Sequence, residues 1–276
     1  GTMKTIRFTS IRFLMIAISV LVIGGGLAAT LLQGGFNLGV DFQAGLSLRV
    51  GIESAEADVE SVRASVAGID GAQVTTIGPE DSNQFVVRVR DAGEIDSFSS
   101  VMSERVLDAL GSRFGTGSIT ELENTYVGPR FSEDLTRNTI LLTTLALALI
   151  LLYIWFRFRL GYAVASIAAL VHDVAFMLVF IGTFQVEVST ATIAAILTII
   201  GYSLNDTIVI FDRIRENERL LRDQGFETII NSSITQSLSR TLITSLTTLL
   251  AVTAIYIFAT GSVQTFALNL IVGVVI

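Results

Sequence analysis

The sequence predicts a membrane α-helical bundle that carries one inserted α+β domain of the ferredoxin-like type. Hydrophobic residues make up 51% of the 276 residues and charged residues only 16%, whereas soluble domains contain about 25% charged residues. The apolar residues are gathered in runs close to the roughly 20 residues needed to cross a hydrocarbon core about 30 Å thick. Between the first two runs, in segment 33–137, strand and helix periods alternate.

Six apolar segments define the predicted spans, at 11–32, 139–156, 160–184, 189–211, 234–258 and 263–276. The first is too long for the apolar region of a signal peptide, so we interpret it as a retained span that follows a short amino-terminal segment, 1–10. Gly1 and Thr2 resemble the remnant of an expression tag. The sixth segment is too short to cross a bilayer, so residues 138–276 are predicted to hold spans two to six with the last incomplete.

Basic residues near the ends of the spans predict the orientation, because short loops rich in lysine and arginine stay in the cytoplasm. They occur before span one, between spans two and three, and after span four: Lys4, Arg7, Arg12, Arg157, Arg159, Arg213, Arg215, Arg219 and Arg222. The amino terminus is therefore predicted to be cytoplasmic and segment 33–137 extracytoplasmic. A charged cytoplasmic helix is predicted at 213–231.

The inserted segment is predicted to form a β-α-β-β-α-β unit. Alternating apolar residues at 46–52 and 85–89 predict strands, and apolar residues at helical spacing predict helices within 59–69 and 98–110. A final strand is predicted near 119–127. This order resembles the ferredoxin-like arrangement. Residues 36–137 contain 17 acidic and 8 basic side chains, a net charge of −9, which argues against a nucleic-acid partner.

Ionisable side chains inside the spans are the candidate functional residues, because each is costly there unless it is paired, hydrated or neutralised. Asp206 lies about 7 Å to the cytoplasmic side of the centre of span four, and Arg240 lies about 9 Å to the same side of the centre of span five. The two could therefore meet at one depth. They are predicted to form a proton relay; the alternative is a static ion pair that joins the two spans.

Asp173, near the middle of span three, is the third predicted relay residue, whereas the adjacent His172 is interpreted as a hydrogen-bonding residue of the core. The relay is supported by polar side chains in spans four and five, which include Asn205, Ser237 and Thr244. Those of span five share one helical face with Arg240. The alternative for the hydroxyl groups is ordinary hydrogen bonding between packed helices.

Other chemistries lack their residues. No phosphate-binding loop occurs, so the chain is not expected to be an ATPase. It contains no cysteine and a single histidine, so no metal or cofactor is predicted. An intramembrane aspartyl protease would need two carboxyl groups that share a proton, and a permanent cation such as Arg240 argues against that pairing. We therefore predict that the protein is not an enzyme.

Five motifs carry a family resemblance: GVDF from Gly39, VGP from Val127, LVHD from Leu170, GYSLNDTIVIFDRIREN from Gly201 and SLSRTLITS from Ser237. Together they resemble the SecF branch of the SecD/SecF family of bacterial protein-export membrane proteins, which is itself similar to the proton-driven resistance-nodulation-division transporters. The resemblance covers essentially the whole chain. One departure is the Gln43-Ala44-Gly45 sequence, since two glycines usually occur at this point in the family.

The resemblance implies a subunit of the bacterial cytoplasmic (inner) membrane that couples the proton-motive force to late stages of preprotein translocation. Its implied partners are SecD, the Sec translocation channel, unfolded preprotein, membrane lipid and protons. Asp206 and Arg240 match the positions assigned to proton transport in the family. Two alternatives remain: a scaffold subunit whose charges only stabilise helix packing, and a small-molecule proton antiporter of related architecture.

Overall fold

The computed structural model describes residues 5–76 and 82–276, which fall into two compact units. The first unit is helical, reaches Asn37, and resumes at Thr143–Ile276. The second is Leu38–Leu142, so its boundaries lie five residues later at each end than the predicted domain, 33–137. The difference at the second boundary arises because α-helical structure of the second span begins inside the inserted unit, at Pro129.

Apolar runs of the sequence form most of the α-helical structure in the described residues. The helices are α1 Arg12–Leu32, α2 Val59–Ser65, α3 Phe98–Phe114, α4 Pro129–Arg157, α5 Leu160–Thr183, α6 Thr190–Leu220, α7 Phe226–Phe258 and α8 Gly261–Val275. Five of these described helices, α1 and α4 to α7, are long and apolar enough to cross a membrane. Helix α8 is apolar but has 15 residues, a length of about 22 Å.

Helices α6 and α7 extend beyond the thickness of a bilayer. Helix α6 has 31 residues and α7 has 33, lengths of about 46 and 50 Å against a hydrocarbon core of about 30 Å. The charged segment predicted as one helix at 213–231 differs in the structure: its first part continues α6 to Leu220 and its last part begins α7 at Phe226. The break falls at 221–225, where Arg222 and Asp223 form a turn and Gly225 precedes α7.

Close contacts through small residues hold the helical unit together. A Cβ atom added to Gly182 of α5 would lie 2.3 Å from Oγ1 of Thr30 in α1, and one added to Gly273 of α8 would lie 2.1 Å from Cδ1 of Ile199 in α6. Glycine thus permits close backbone approaches, as is common between membrane helices. These contacts fix α1 against α5 and α8 against α6.

The amino-terminal segment is bound to the start of α7. A short 3₁₀ helix, Phe8–Ile11, precedes α1. Within it, the Thr9 amide donates to Oδ1 of Asn231 at 3.0 Å, and Nδ2 of Asn231 donates to the Thr9 hydroxyl at 2.8 Å. The Thr9 hydroxyl in turn donates to Glu227 at 2.6 Å. The predicted amino-terminal and inter-span segments therefore meet at one end of the helical unit.

The inserted unit contains a small antiparallel sheet. Its strands are β1 Gly45–Ile52, β2 Ala72–Thr76, β3 Gln84–Arg90 and β4 Ile119–Val127, in the order β2-β3-β1-β4. All three neighbouring pairs are antiparallel, and Leu48 of β1 lies opposite Val87 of β3. The three strands predicted at 46–52, 85–89 and 119–127 are present as β1, β3 and β4, and β2 fills the place that the β-α-β-β-α-β order implied.

One face of this sheet packs against α2 and α3. The shared core is buried and apolar: Leu46, Leu48, Val50, Ile52, Val62, Val66, Val74, Phe85, Val87, Val89, Phe98, Met102, Val106 and Leu110. Helix α2 begins with a capping box, in which the Asp58 carboxylate accepts from the Ser61 amide at 2.7 Å and the Ser61 hydroxyl accepts from the Asp58 amide at 3.0 Å. The hydrogen bonds to Ser61 lower the pKa of Asp58.

Candidate functional site

Asp206 and Arg240 lie at matching positions on two packed, antiparallel helices. Asp206 precedes Leu220, the last residue of α6, by the same number of residues as Arg240 follows Phe226, the first residue of α7. At about 1.5 Å per residue, each lies about 21 Å from the turn that joins the helices. The structure therefore brings the two positions to one level along the helix pair, while their role as a relay stays a prediction.

The two charges interact without touching. Arg240 acts on Asp206 through a coulombic interaction. Among residues 5–76 and 82–276, however, no ion pair within 4.0 Å joins Asp206 to a cation. The Asp206 side chain is half-buried, whereas Arg240 is exposed on the surface of the isolated chain. The arrangement is thus a separated pair of opposite charges and not a closed ion pair.

Asp173 belongs to a hydrogen-bonded chain that crosses three helices. Its Oδ1 lies 2.9 Å from Nδ1 of His172, and its Oδ2 accepts from the Ser203 hydroxyl at 2.5 Å. The other ring nitrogen of His172, Nε2, lies 3.0 Å from the hydroxyl of Ser19. The chain Ser19–His172–Asp173–Ser203 therefore connects α1, α5 and α6. Ser203 is three residues before Asp206, about one helical turn away.

The supporting polar side chains of α7 are bonded within their own helix. Ser237 donates to the carbonyl of Ser233 at 3.0 Å, and Thr244 donates to the carbonyls of Arg240 and Thr241 at 3.1 and 2.9 Å. These hydroxyl groups donate to carbonyls of their own helix, so the bonds join α7 to no neighbouring helix, and the supporting role stays a prediction. Asn205, on α6, is exposed. Within the described part of the chain, none of these three side chains is hydrogen-bonded to Asp206.

Three polar contacts of the helical unit were not predicted. Arg157, at the end of α4, donates to Asp212 of α6 at 2.5 Å, and Asp212 also lies 3.6 Å from Arg215. The buried Asn217 donates to the hydroxyl of Ser233 at 2.8 Å. The first and last of these contacts join different helices. The sequence offered one indication of the Asn217 contact. An asparagine that is buried beyond the apolar part of α6 needs a hydrogen-bond partner.

A separate buried carboxylate lies in the inserted unit. Asp91 is 6% exposed, and its Oδ2 accepts a hydrogen bond of 2.7 Å from the hydroxyl of Tyr126, whereas its Oδ1 accepts from the Gly93 amide at 2.7 Å. The hydrogen bond to Asp91 is the main cause that raises the pKa of Tyr126 above its ordinary value. This pair fixes the end of β3 to β4 and has a structural role in the sheet.

Comparison with known proteins agrees with this architecture. Residues 107–276 match the family described as protein export membrane protein SecD/SecF, C-terminal. The protein translocase subunit SecF of Borreliella burgdorferi is 38% identical over 265 residues, which cover 95% of this chain and 88% of that relative. The protein translocase subunit SecDF of Brucella abortus is 34% identical over 277 residues, which cover 100% of this chain and 36% of that relative.

A solved structure shows the same fold. The crystal structure of SecDF from Thermus thermophilus, described as a translocon-associated membrane protein, matches with a TM-score of 0.83 at 34% sequence identity. The match covers 99% of this chain and 36% of that chain. The present chain thus spans about one third of the SecDF proteins that it resembles and most of the length of the separate SecF relative.

The fold and the intramembrane charges define a multi-span membrane protein with an inserted α+β domain. The family match covers more than half of the chain, and a separate relative is 38% identical over nearly all of it. The chain belongs to the SecD/SecF family of protein-export membrane proteins. Protein transport by the Sec system is therefore the process in which it takes part.

Proposed function

We propose that this chain couples the proton-motive force to late stages of preprotein translocation, with Asp206 as the proton-binding group. The observation that carries the proposal is the separated pair: Asp206 and Arg240 lie at one level on packed helices, interact electrostatically, and form no closed ion pair in the part of the chain that the structure describes. Intramembrane ionisable residues in such positions commonly mark ion pathways.

A separated pair of charges suits a proton-driven change of shape. A carboxyl group in a low-dielectric environment favours its neutral form, whereas a nearby cation favours the ionised form. Movement of α7 against α6 would therefore change how readily Asp206 holds a proton. Each proton that crosses about 100 mV releases about 2.3 kcal/mol, so a few protons supply enough free energy for a conformational step.

We further propose that the protein lies in the bacterial cytoplasmic membrane with a cytoplasmic amino terminus. The basic residues that favour this orientation lie near the ends of α4 and α6 and include Arg157, Arg159 and Arg213. The sheet order β2-β3-β1-β4 supports a ferredoxin-like domain on the outer side. Helix α8, packed on α6 and α7, is proposed to contribute the sixth span.

SecD, the translocation channel, unfolded preprotein, membrane lipid and protons are the proposed partners. The name of the SecDF relatives supports SecD as a neighbour. Exposed Arg240 supports it independently, because a guanidinium group within a span needs protein or water around it. The proposal includes no enzymatic activity, since protein movement driven by a proton gradient needs no covalent step in this chain.

The test is preprotein export in inverted membrane vesicles that contain SecD, with and without a proton-motive force. Asp206→Asn is expected to abolish the increment that the force produces, while force-independent export continues. Asp223→Asn, the same substitution in the exposed turn between α6 and α7, is the matched control. Both variants are first shown to assemble equally with SecD.

An unchanged increment in Asp206→Asn would support the scaffold function instead. That second candidate is favoured by the Arg157–Asp212 ion pair, which joins α4 to α6. A scaffold predicts that export tolerates Asp206→Asn but declines when assembly is lost. A small-molecule antiporter would instead change the susceptibility of cells to toxic compounds while export stays normal.

A further inference from the structure

The single histidine of the chain lies at the centre of a hydrogen-bonded chain, and its geometry allows a change of charge without loss of a contact. His172 Nδ1 lies 2.9 Å from Asp173 Oδ1, and His172 Nε2 lies 3.0 Å from the Ser19 hydroxyl. When the ring is neutral, Nδ1–H donates to Asp173 and Nε2 accepts from Ser19. When the ring is protonated, Nε2–H donates to Ser19, whose hydroxyl can accept as well as donate.

Asp173 is held as an acceptor in both states. Its second oxygen, Oδ2, accepts from the Ser203 hydroxyl at 2.5 Å, so each carboxylate oxygen has a donor. An ionised Asp173 can accept both bonds at once, from the ring and from Ser203. In that form Asp173 is the group that orients the ring.

The chain also reaches the helix of Asp206. Ser203 is three residues before Asp206 on α6, a rise of about 4.5 Å. When His172 gains a proton, the charge of the His172–Asp173 pair changes from −1 to neutral beside this segment of α6. A change of charge at this point alters the electrostatic field in which Asp206 binds its own proton.

Charged groups are few in the apolar parts of the surrounding helices, before the charged end of α6 that begins at Asp212 and after Glu227 at the start of α7. Helix α5 contributes Asp173, α6 contributes Asp206 about one turn beyond Ser203, and α7 contributes Arg240. Helix α1 has Arg12 at its start, about two turns before Ser19, and α8 has no charged residue. Asp173, whose Oδ1 lies 2.9 Å from Nδ1 of His172, is thus the charged group in direct contact with the ring.

We propose that His172 is a second proton-binding site of the chain, with Asp173, Ser19 and Ser203 as positioning residues that link its protonation to Asp206. This extends the proposed function, on which it rests, by naming a different group and a contact to the first span. It also differs from the sequence-based assignment, in which Asp173 carried the proton and His172 was a core residue.

The test uses the absence of any other histidine in the chain. The protein is purified without a polyhistidine tag, labelled with ¹⁵N-histidine and placed in lipid nanodiscs, so that every ring signal comes from His172. The ring nitrogen shifts are expected to follow a single reversible titration between pH 5 and 9. Ser19→Ala is expected to shift the titration midpoint, and Ser19→Thr, which restores a hydroxyl group, is expected to return it towards the wild-type value.

Ser166→Ala is the matched control, because Ser166 is a buried serine of α5 whose hydroxyl has no hydrogen-bond partner in the described chain. It is expected to leave the titration unchanged. A ring that keeps one tautomer and one charge from pH 5 to pH 9 would overturn the proposal and leave a structural clasp between α1, α5 and α6. A titration that Ser19→Ala and Ser166→Ala both leave unmoved would overturn the positioning role of Ser19.

The link to Asp206 has its own readout. In Asp206→Asn the midpoint of the His172 titration is expected to shift, because a negative charge near Ser203 is removed. An unshifted midpoint would refute the link while the vesicle export assay still decides the role of Asp206. The two proposals therefore fail in different experiments.

Discussion

The inserted domain buries most of its apolar side chains in one core, whereas the helical unit buries some of them, such as Met177, and leaves many others exposed. In the domain, Leu48 and Val87 are 0% exposed and lie in one core between the sheet and its helices. In the helical unit, Leu246 and Phe258 are 59% and 86% exposed, whereas Ser233 is 0% exposed. The same chain thus folds against two solvents: water drives apolar groups inward, and lipid removes that driving force.

This difference explains why charge has a different meaning in the two regions. On the surface of the domain, Arg63 and Glu60 form an exposed pair, which contributes little to stability. In the helical unit, Asp206 and the His172–Asp173 pair lie within apolar segments, where each charge is costly. Side chains kept at such a cost are the ones from which function is best inferred.

The largest predicted effect comes from the same leucine-to-alanine truncation in both regions, which tests whether they differ in how tightly their apolar side chains are packed. Leu48 is fully buried in the domain core, and Leu48→Ala is expected to destabilise the domain by about 2–5 kcal/mol. Leu246 lies on the exposed side of α7, and Leu246→Ala is expected to have only the small effect of an ordinary surface substitution. Hydrogen exchange of the β1 and β3 amides in the detergent-solubilised chain measures the first effect.

Hydrogen exchange of the α7 amides, in the same preparation, measures the effect of Leu246→Ala. Equal effects of the two substitutions would show that the exposed face of α7 is packed as tightly as the domain core. In that case the contrast between the two regions would not hold, and a partner within the preparation would be the first explanation to examine.

A smaller effect is expected from filling a close contact in the helical unit. Gly182→Val would place a Cβ atom 2.3 Å from Thr30 Oγ1. The overpacked α1–α5 contact is expected to be destabilised by about 1–3 kcal/mol. Gly161→Val on the same helix is the control, since a Cβ there meets nothing within 4 Å. Thermal unfolding of the two purified variants in one detergent gives the comparison, and equal melting temperatures would contradict the predicted packing.

Much of the fold could be predicted from patterns within single segments. Apolar runs predicted the five helices long enough to cross a membrane, and alternation located the strands β1 and β3. The matching levels of Asp206 and Arg240 followed from helical rise alone, because antiparallel neighbours joined by a short turn have to pass the same depth. These features depend only on local periodicity and chain direction.

The contacts between distant segments could not be predicted in this way. Ser19 and His172 are 153 residues apart, and nothing in the period of either helix shows which of its faces meets the other. Some helix ends were not predicted either. The start of α4 at Pro129 and the break at 221–225 depend on local turns within charged segments. A single sequence gives the face of a helix but not its neighbour.

The smallest predicted effect concerns the capping box of α2. It is a dependence of the stability of the inserted domain on pH. Hydrogen bonds from the backbone and side chain of Ser61 lower the pKa of Asp58 below its ordinary value of 3.8. A carboxyl group with a lowered pKa stabilises the folded state above its unfolded pKa, and this contribution is lost as the pH falls through the folded pKa. The loss is therefore expected below pH 3.8, and the domain is expected to be fully capped at neutral pH.

Asp58→Asn keeps a side-chain acceptor but removes the charge, so it is expected to weaken the acid dependence of the domain and to lower its stability only slightly at pH 7. Asp70→Asn, at an exposed aspartate before β2, is the control. Thermal unfolding of the domain, measured from pH 7 to pH 3, distinguishes the effect of Asp58→Asn from that of Asp70→Asn. If Asp58→Asn retained the full acid dependence of the wild type, groups other than this cap would be responsible. In that case the domain would not respond to acid through its surface cap. The difference from the helical unit, which is proposed to respond through intramembrane groups, would then not be supported.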